Sequence, residues 1–367
     1  MKTITLNTTV ISNAVATASN YAPKDGEFAG KIVLVGQEGK VEVKASDYAQ
    51  TIIYKGLEFI CSDITIDSFE AFSIDGKKLS TVLKAAKTAD VQIDIKADEI
   101  VVKSGRSKVK IETLAKTQDI QVTKGGIEFD FGLEMGHMER ILHAVDTNNP
   151  KYELNGVLLQ ASGGVLNIVG TDSKRLARAS TEIDQDFEVI VPKSGIVSAI
   201  KLFDGFDVRA YLNDSSLTIH TDIIDYEVRL TNGKYPAWQR IIPQSFAQTL
   251  TFSRTALAEL LKEVSLFETE VAIEIKQGKI ILSDLKKATV VEDSFEDENA
   301  NMRFGVNSKL VLDFLASYEG EKVQLGFNDS NLPFMLIADS SYSEVIMPIV
   351  LADAQDVDAD DTEDMAA

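Results

Sequence analysis

Residues 151–178 read KYELNGVLLQASGGVLNIVGTDSKRLAR. Short Val-, Leu- and Ile-rich blocks flank Ser162-Gly163-Gly164, so the stretch predicts a hairpin with strands over 154–161 and 165–170. A polar loop, Thr171-Asp172-Ser173-Lys174-Arg175-Leu176, follows it. Two other predicted hairpins end in the same kind of hydroxyl-Asp pair, Ser46-Asp47 and Ser283-Asp284, so the stretch reads as one copy of a repeat.

Helical periodicity extends the repeat outward. Apolar residues at i, i+3, i+4 and i+7 mark Ile11, Ala14, Val15 and Ala18; then Met138, Ile141, Leu142 and Val145; then Leu257, Leu260, Leu261 and Val264. A second helix family follows each hairpin: Leu79, Val82, Leu83 and Ala86; Ile196, Ala199, Ile200 and Phe203; Val311, Phe314, Leu315 and Tyr318. Members of this second family recur at a spacing of about 116 residues, as do the strand ends Ile74, Val191 and Val306 before them. The expected fold is α+β, with three repeated domains over 1–123, 124–247 and 248–351. Residues 352–367 hold seven acidic side chains and no basic one, the composition of a disordered tail.

The chain has 367 residues, a formal net charge of −20 and one cysteine, Cys61. One cysteine rules out a disulfide framework within the chain, and a reducing cytoplasm is the expected compartment. No signal-type apolar core follows Met1 and no run of about 18 apolar residues occurs, so neither export nor a helical membrane span is expected. The acidic balance argues against nucleic acid, yet the sum hides a local exception. On the second helix family Lys77, Lys84, Lys201 and Lys309 all point away from the apolar stripe. The face is either an ordinary solvated surface or a seat for a polyanion held through its backbone.

Several longer strings carry a resemblance: VKSGRSKVKIETL (102–114), KYELNG (151–156), GTDSKRLARAS (170–180), VIVPKSGI (189–196), NGKYPAWQRIIP (232–243), FGVNSKLVLDFL and VIMPIVL. In content, order and spacing they resemble the bacterial sliding clamps, the beta subunits of DNA polymerase III, over about residues 1–351. The resemblance implies three clamp-type domains, helices on one face and antiparallel sheets on the other, and a head-to-tail homodimer closing as a six-domain ring. Such a ring encircles double-stranded DNA without reading sequence and tethers the polymerase; it needs no cofactor. The clamp loader, other polymerases and repair proteins are further expected partners, through short linear peptides.

Carried over residue by residue, the resemblance implies a peptide cleft of Leu154, Thr171, Arg175, Leu176, Pro236, Arg240, Ile241, Val345, Met347, Pro348, Ile349 and Leu351. Its two arginines would fix peptide polarity and its methionine would let the cleft repack. DNA contacts are expected at Lys24, Lys151, Tyr152 and Lys193 besides the four helix lysines. At the ring interface Val109 and Ile111 are expected to face Leu266 and Phe267 of a partner. The chain departs from the family at Val350, where an arginine is common, and in the acidic residues after Leu351. Their carboxylates either fold over Arg175 and Arg240 or stay solvated.

The alternative is a metal-dependent nucleic-acid-processing enzyme on a repeated α+β scaffold. His137, His143 and His220 lack HxxH or HExxH spacing, and no GxxxxGK loop occurs. Glu292, Asp293, Glu296, Asp297 and Glu298 lack the glycine and alternation of a calcium loop and read as a solvated loop.

Overall fold

The computed structural model describes residues 2–61 and 67–351; the acidic 352–367 segment lies outside the described residues. The chain divides into two compact units, one of Met1–Leu133 with Ser194–Leu230, the other of Glu134–Lys193 with Thr231–Ala367.

Among the described residues six helices lie where periodicity predicts them: α1 (Thr8–Ala18), α2 (Gly76–Lys84), α3 (Phe131–Ile141), α4 (Lys193–Phe203), α5 (Arg254–Val264) and α6 (Ser308–Ala316). Helix α3 sits earlier than predicted, with Leu142 in a 3-10 turn and Val145 beyond it, and Ala86 and Tyr318 fall past the ends of α2 and α6. Four start at a side chain that accepts an otherwise orphaned backbone N–H: Asn7 from Val10, Asp75 from Lys78, Ser253 from Ala256 and Asn307 from Lys309. The predicted apolar stripe is wholly buried in α1, at Ile11, Ala14, Val15 and Ala18, and mostly buried elsewhere, with Val82, Ile200 and Leu260 half-buried. Helix α1 packs against α2 in the first unit, and α5 against α6 in the second.

The first unit is built on one sheet of thirteen strands. Its order starts with Ile127–Asp130, Arg209–Leu212, Ser216–His220 and Ile224–Arg229. It continues through Gln50–Glu58, Lys40–Ser46, Lys31–Gln37 and Phe69–Asp75 to Ser107–Leu114, Glu99–Ser104, Asp90–Ile95, Lys2–Asn7 and Ile60–Cys61. Every pairing is antiparallel, and the seam between sequence repeats is Ile224–Arg229 against Gln50–Glu58.

The second unit repeats the device. An eight-stranded sheet runs Phe187–Pro192, Gly156–Ser162, Val165–Thr171, Arg175–Glu182, Tyr342–Ile346, Phe334–Ile337, Lys322–Phe327 and Gln248–Ser253. A four-stranded sheet holds Val290–Ser294, Lys279–Asp284, Glu270–Lys276 and Asn301–Asn307. Strands from the middle sequence repeat therefore enter both units, because backbone pairing at each repeat boundary continues the sheet rather than ending it.

The hairpin at 151–178 differs in detail from its sequence reading. Tyr152–Asn155 is a 3-10 turn, so Leu154 precedes the first strand, Gly156–Ser162. Gly163 and Gly164 both have positive φ, +60° and +83°, which makes a two-residue turn that suits the strand twist. Arg175 and Leu176 open a third strand, because they pair with Ile346 and Val345 far along the chain. Glu292 and Asp293 likewise lie in an edge strand, Val290–Ser294, rather than in a loop.

Candidate cleft and candidate nucleic-acid interface

The cleft residues come from three adjacent strands and a loop of the second unit. Leu176 has Thr171 as its partner on one side and Val345 on the other. The loop between them is closed by Asp172, whose Oδ1 accepts the N–H groups of Lys174 and Arg175 at 3.0 and 3.1 Å. Ser173 there takes φ +74°, a conformation that L-residues rarely adopt outside such turns. The Thr171 hydroxyl donates to the Arg175 carbonyl at 2.6 Å and completes the closure.

Below the loop, Leu154, Leu158, Val169, Leu176, Ile190, Tyr235 and Trp238 form a buried cluster, with Ile242 half-buried against it. Burying each such side chain stabilises the unit by about 1.5–3 kcal/mol, so the cluster is a rigid base. Tyr235 donates to the Val169 carbonyl at 3.4 Å, and burial pushes its hydroxyl well above the usual tyrosine range. The indole N–H of Trp238 donates to Gln160, and Arg178 lies 5.8 Å over its ring. Pro236, Arg240 and Ile241 sit on the loop that Tyr235 and Trp238 anchor, and all three are exposed, Ile241 at 43%. Met347, 46% exposed, is held by its N–H on the Lys174 carbonyl at 3.0 Å. The site thus combines a buried apolar base with exposed apolar and cationic groups.

Tyr235, Trp238, Ile242 and Arg178 were missed in the sequence reading. The spacing of aromatic and apolar residues in KYPAWQRII was the available signal for the first three. Pro348, Ile349 and Leu351 are half-buried, and the last two lie against Gly305 of the four-stranded sheet. A Cβ on Gly305 would meet the Ile349 carbonyl oxygen at 2.6 Å and Leu351 at 2.8 Å, so only glycine lets the 347–351 segment lie there.

Arg175 does not fit the role of an open cationic rim group. Its residue is 8% exposed. Its Nε donates to Asp172 and its Nη1 to Asp313, both at 3.0 Å, and its Nη2 donates to the His143 carbonyl at 2.7 Å. A guanidinium so satisfied is a structural tie, and tail carboxylates have no open face of Arg175 to cover. Lys174, Lys234 and Arg240 are exposed cations on the loops beside the cleft.

Lys24, Lys77, Lys84, Lys151, Lys201 and Lys309 are exposed, as is Tyr152, and among the described residues none of these lysines forms an ion pair. Several lysines on the sheets differ: Lys44, Lys55, Lys103, Lys276 and Lys279 each contact a carboxylate within 2.7 Å, whereas among the described residues Lys31, Lys40, Lys108 and Lys322 form no ion pair. Helices α2 and α4 contain no acidic residue, and Asp313 of α6 is bound to Arg175. Lys193 corrects the expectation of a free phosphate contact. Its ammonium is half-buried and donates to the Val145 carbonyl at 2.7 Å, and burial first, then the nearby Arg175 charge, pulls its pKa down.

At the expected interface Leu266 and Phe267 are 68% and 87% exposed, whereas Ile111 is buried and Val109 half-buried within the protomer. The edge around Val109 is open: residues 107–112 pair only with Glu99–Ser104, and Phe69–Asp75 reaches just Thr113 and Leu114. Among the described residues no helix is long and apolar enough to cross a membrane, and no group of three His, Cys, Asp or Glu is placed to hold a metal.

Comparison with known proteins agrees with these features. Residues 135–237 match the model of the DNA polymerase III beta subunit central domain, and residues 239–350 that of its C-terminal domain. The beta sliding clamp of Pseudomonas putida is 29% identical over 302 residues, 76% of this chain and 82% of the relative; that of Escherichia coli K12 is 26% identical over 285 residues, 72% and 77%. Among solved structures, the beta subunit from Pseudomonas aeruginosa superposes with a TM-score of 0.87 at 20% identity, covering 95% of this chain and 100% of that one. The Helicobacter pylori beta clamp bound to a DNA ligase peptide gives 0.85 at 22% identity with the same coverage. With both family models matched in tandem and the paired sheets and helices of that fold in place, the chain belongs to the DNA polymerase III beta subunits, the beta sliding clamps.

Proposed function

We propose that two copies of this chain close head to tail into a ring around duplex DNA and tether the replicative polymerase and other replication and repair proteins through the cleft of the second unit. The observation that carries this reading is the set of unpaired lysines on helices free of uncommitted carboxylate, in a chain of net charge −20. Such a face attracts phosphates without reading bases, while the acidic remainder discourages adhesion elsewhere. Enclosure then does what contacts alone cannot, because salt screens exposed charges beyond about 8–10 Å but does not open a closed ring.

Closure needs two complementary edges. The open 107–112 edge carries Lys108 and Lys110, and the Val290–Ser294 edge carries Glu292 and Asp293. Hollows of about 500 and 580 Å³ flank Val109, lined partly by Val82, and could receive Leu266 and Phe267 of a second copy. The cleft suits short peptides with an apolar anchor, and the relative that carries a DNA ligase peptide supports the partner class. On this reading the protein holds its partners and carries out no bond-making step of its own.

The test is topological. Protein loaded by a clamp loader with ATP onto nicked circular DNA should stay through high salt and leave when the circle is cut. Loss from intact circles in high salt, with salt-sensitive binding on simple mixing, would overturn the ring.

A further inference from the structure

One group near the cleft has no evident use in binding a peptide. Glu344 sits in the middle of Tyr342–Ile346 with no exposed surface, yet a buried carboxylate is costly unless something requires it. Its Oε2 lies 2.6 Å from Nε2 of His143, and its Oε1 lies 3.9 Å from Nη1 of Arg175 without a hydrogen bond. Nδ1 of His143 is buried with no partner. An orphaned N–H costs more than an orphaned lone pair, so the proton belongs on Nε2 and is donated to Glu344. Glu344 is then an anion whose counter-charge is Arg175, which already serves Asp172 and Asp313.

The chain contains its own control. The seam of the first unit is paired in the same way: Gln50 opposes Val228 as Arg175 opposes Ile346, and Tyr226 opposes Ile52 as Glu344 opposes Ala177. At these two positions the contact is neutral, with the Tyr226 hydroxyl placed between Gln50 Oε1 at 2.7 Å and the Gly195 carbonyl at 3.0 Å; the charges of that seam, Lys55 on Asp225 beside His220, lie at other register positions. Ser198 stands at the helix position that Asp313 occupies in the second unit. Joining two repeats through a sheet therefore requires no Arg–Glu pair at these register positions. Arg175, Glu344 and Asp313 meet at the seam that carries the cleft.

The geometry points to Glu344, with His143, as a positioning residue that keeps Arg175 turned inward and so sets the 172–175 loop and Met347 for peptide binding. The mechanical link is short. Arg175 ties the loop to α6 and to the His143 carbonyl, and the Lys174 carbonyl of that loop holds the Met347 N–H at 3.0 Å. Met347 also leaves the strand three residues beyond Glu344. The inference rests on the cleft reading above for its consequence, but not for its geometry.

The full-length protein carrying Glu344→Gln tests this, with the DNA ligase peptide of the Helicobacter pylori relative as probe. Asp172 and Asp313 still neutralise Arg175 in that variant, so no charge is stranded and the melting temperature should hold or rise. Peptide Kd should nevertheless rise about tenfold, and amide exchange at Met347 should quicken. Burial pushes Glu344 up, with His143 and Arg175 opposing and Asp172 adding. The groups facing it are His143, Arg175, Asp172, Asp313 and Tyr342. Lowering the pH from 8 to 5 should therefore weaken wild-type binding toward that of the variant, which keeps His143 and should change less.

Wild-type affinity and unchanged Met347 exchange in the variant would overturn the inference. So would a fall in melting temperature in step with the loss of affinity, which would mark a merely structural group. If the wild-type protein itself fails to take the peptide, the cleft reading falls. Met347 exchange then decides the positioning role: faster exchange in the variant supports it and equal exchange overturns it.

Discussion

Aspartate recurs in this chain for a reason visible at single atoms. Asp47, Asp172 and Asp284 each follow a hydroxyl residue after a hairpin, and each accepts backbone N–H groups of the loop that follows. Asp284 is the fullest case, with Lys286 and Ala288 on Oδ1 and Thr289 on Oδ2. Burial pushes its pKa up, but the N–H groups of Thr289, Ala288 and Lys286 outweigh this and leave the carboxyl below its ordinary value. A carboxyl depressed in the folded state contributes stability above its unfolded pKa, about 3.9, and loses it as pH falls through the folded value. Asp284→Asn should thus lower the urea midpoint at pH 7, and the difference from wild type should shrink toward pH 3. A difference that stays constant with pH would show that the charge contributes nothing.

At the scale of elements, edges and faces divide the work. Most strands inside each unit are paired on both sides, while 107–112 and Val290–Ser294 are among those that keep a free side. An open edge with apolar flanks invites pairing with another chain, and lysines and carboxylates on such edges select the partner. Leu266 and Phe267 stand exposed after α5, where no packing within the protomer depends on them. The double variant Leu266→Asp and Phe267→Asp should elute as a monomer in light-scattering chromatography. Each protomer should keep its secondary structure, since exposed substitutions usually alter stability by about 0.5 kcal/mol or less. A dimer that persists would place the interface elsewhere. The helix and hairpin elements were legible because their signals are local: caps at i to i+3, a 3.6-residue period and paired glycines.

For the whole molecule, charge is distributed rather than averaged. Fifty-seven acidic residues outnumber thirty-seven basic ones, yet α2 and α4 carry lysines and no acid. If these lysines meet phosphates, Lys77→Gln, Lys84→Gln and Lys201→Gln should each reduce the slope of log affinity against log salt by about 0.9 in simple mixing with duplex DNA. Retention on closed circles should change far less; unchanged slopes would remove these lysines from the interface. The sequence by itself determined the helix and hairpin order, the family strings and the acid-poor helices, because each is written within a few neighbouring residues, and the repeats, because those local patterns recur about 116 residues apart. The family resemblance, not the local pattern, brought Leu154, Leu176 and Met347 to notice as one candidate site. Only the tertiary structure decided how Arg175, Lys193, Ile111 and Glu344 are buried and what they contact. Asp313 lies 138 residues from Arg175, and Glu344 lies 201 from His143. Whether a charge is an open contact or a buried tie depends on which groups the strand pairing brings beside it, and no local pattern carries that information.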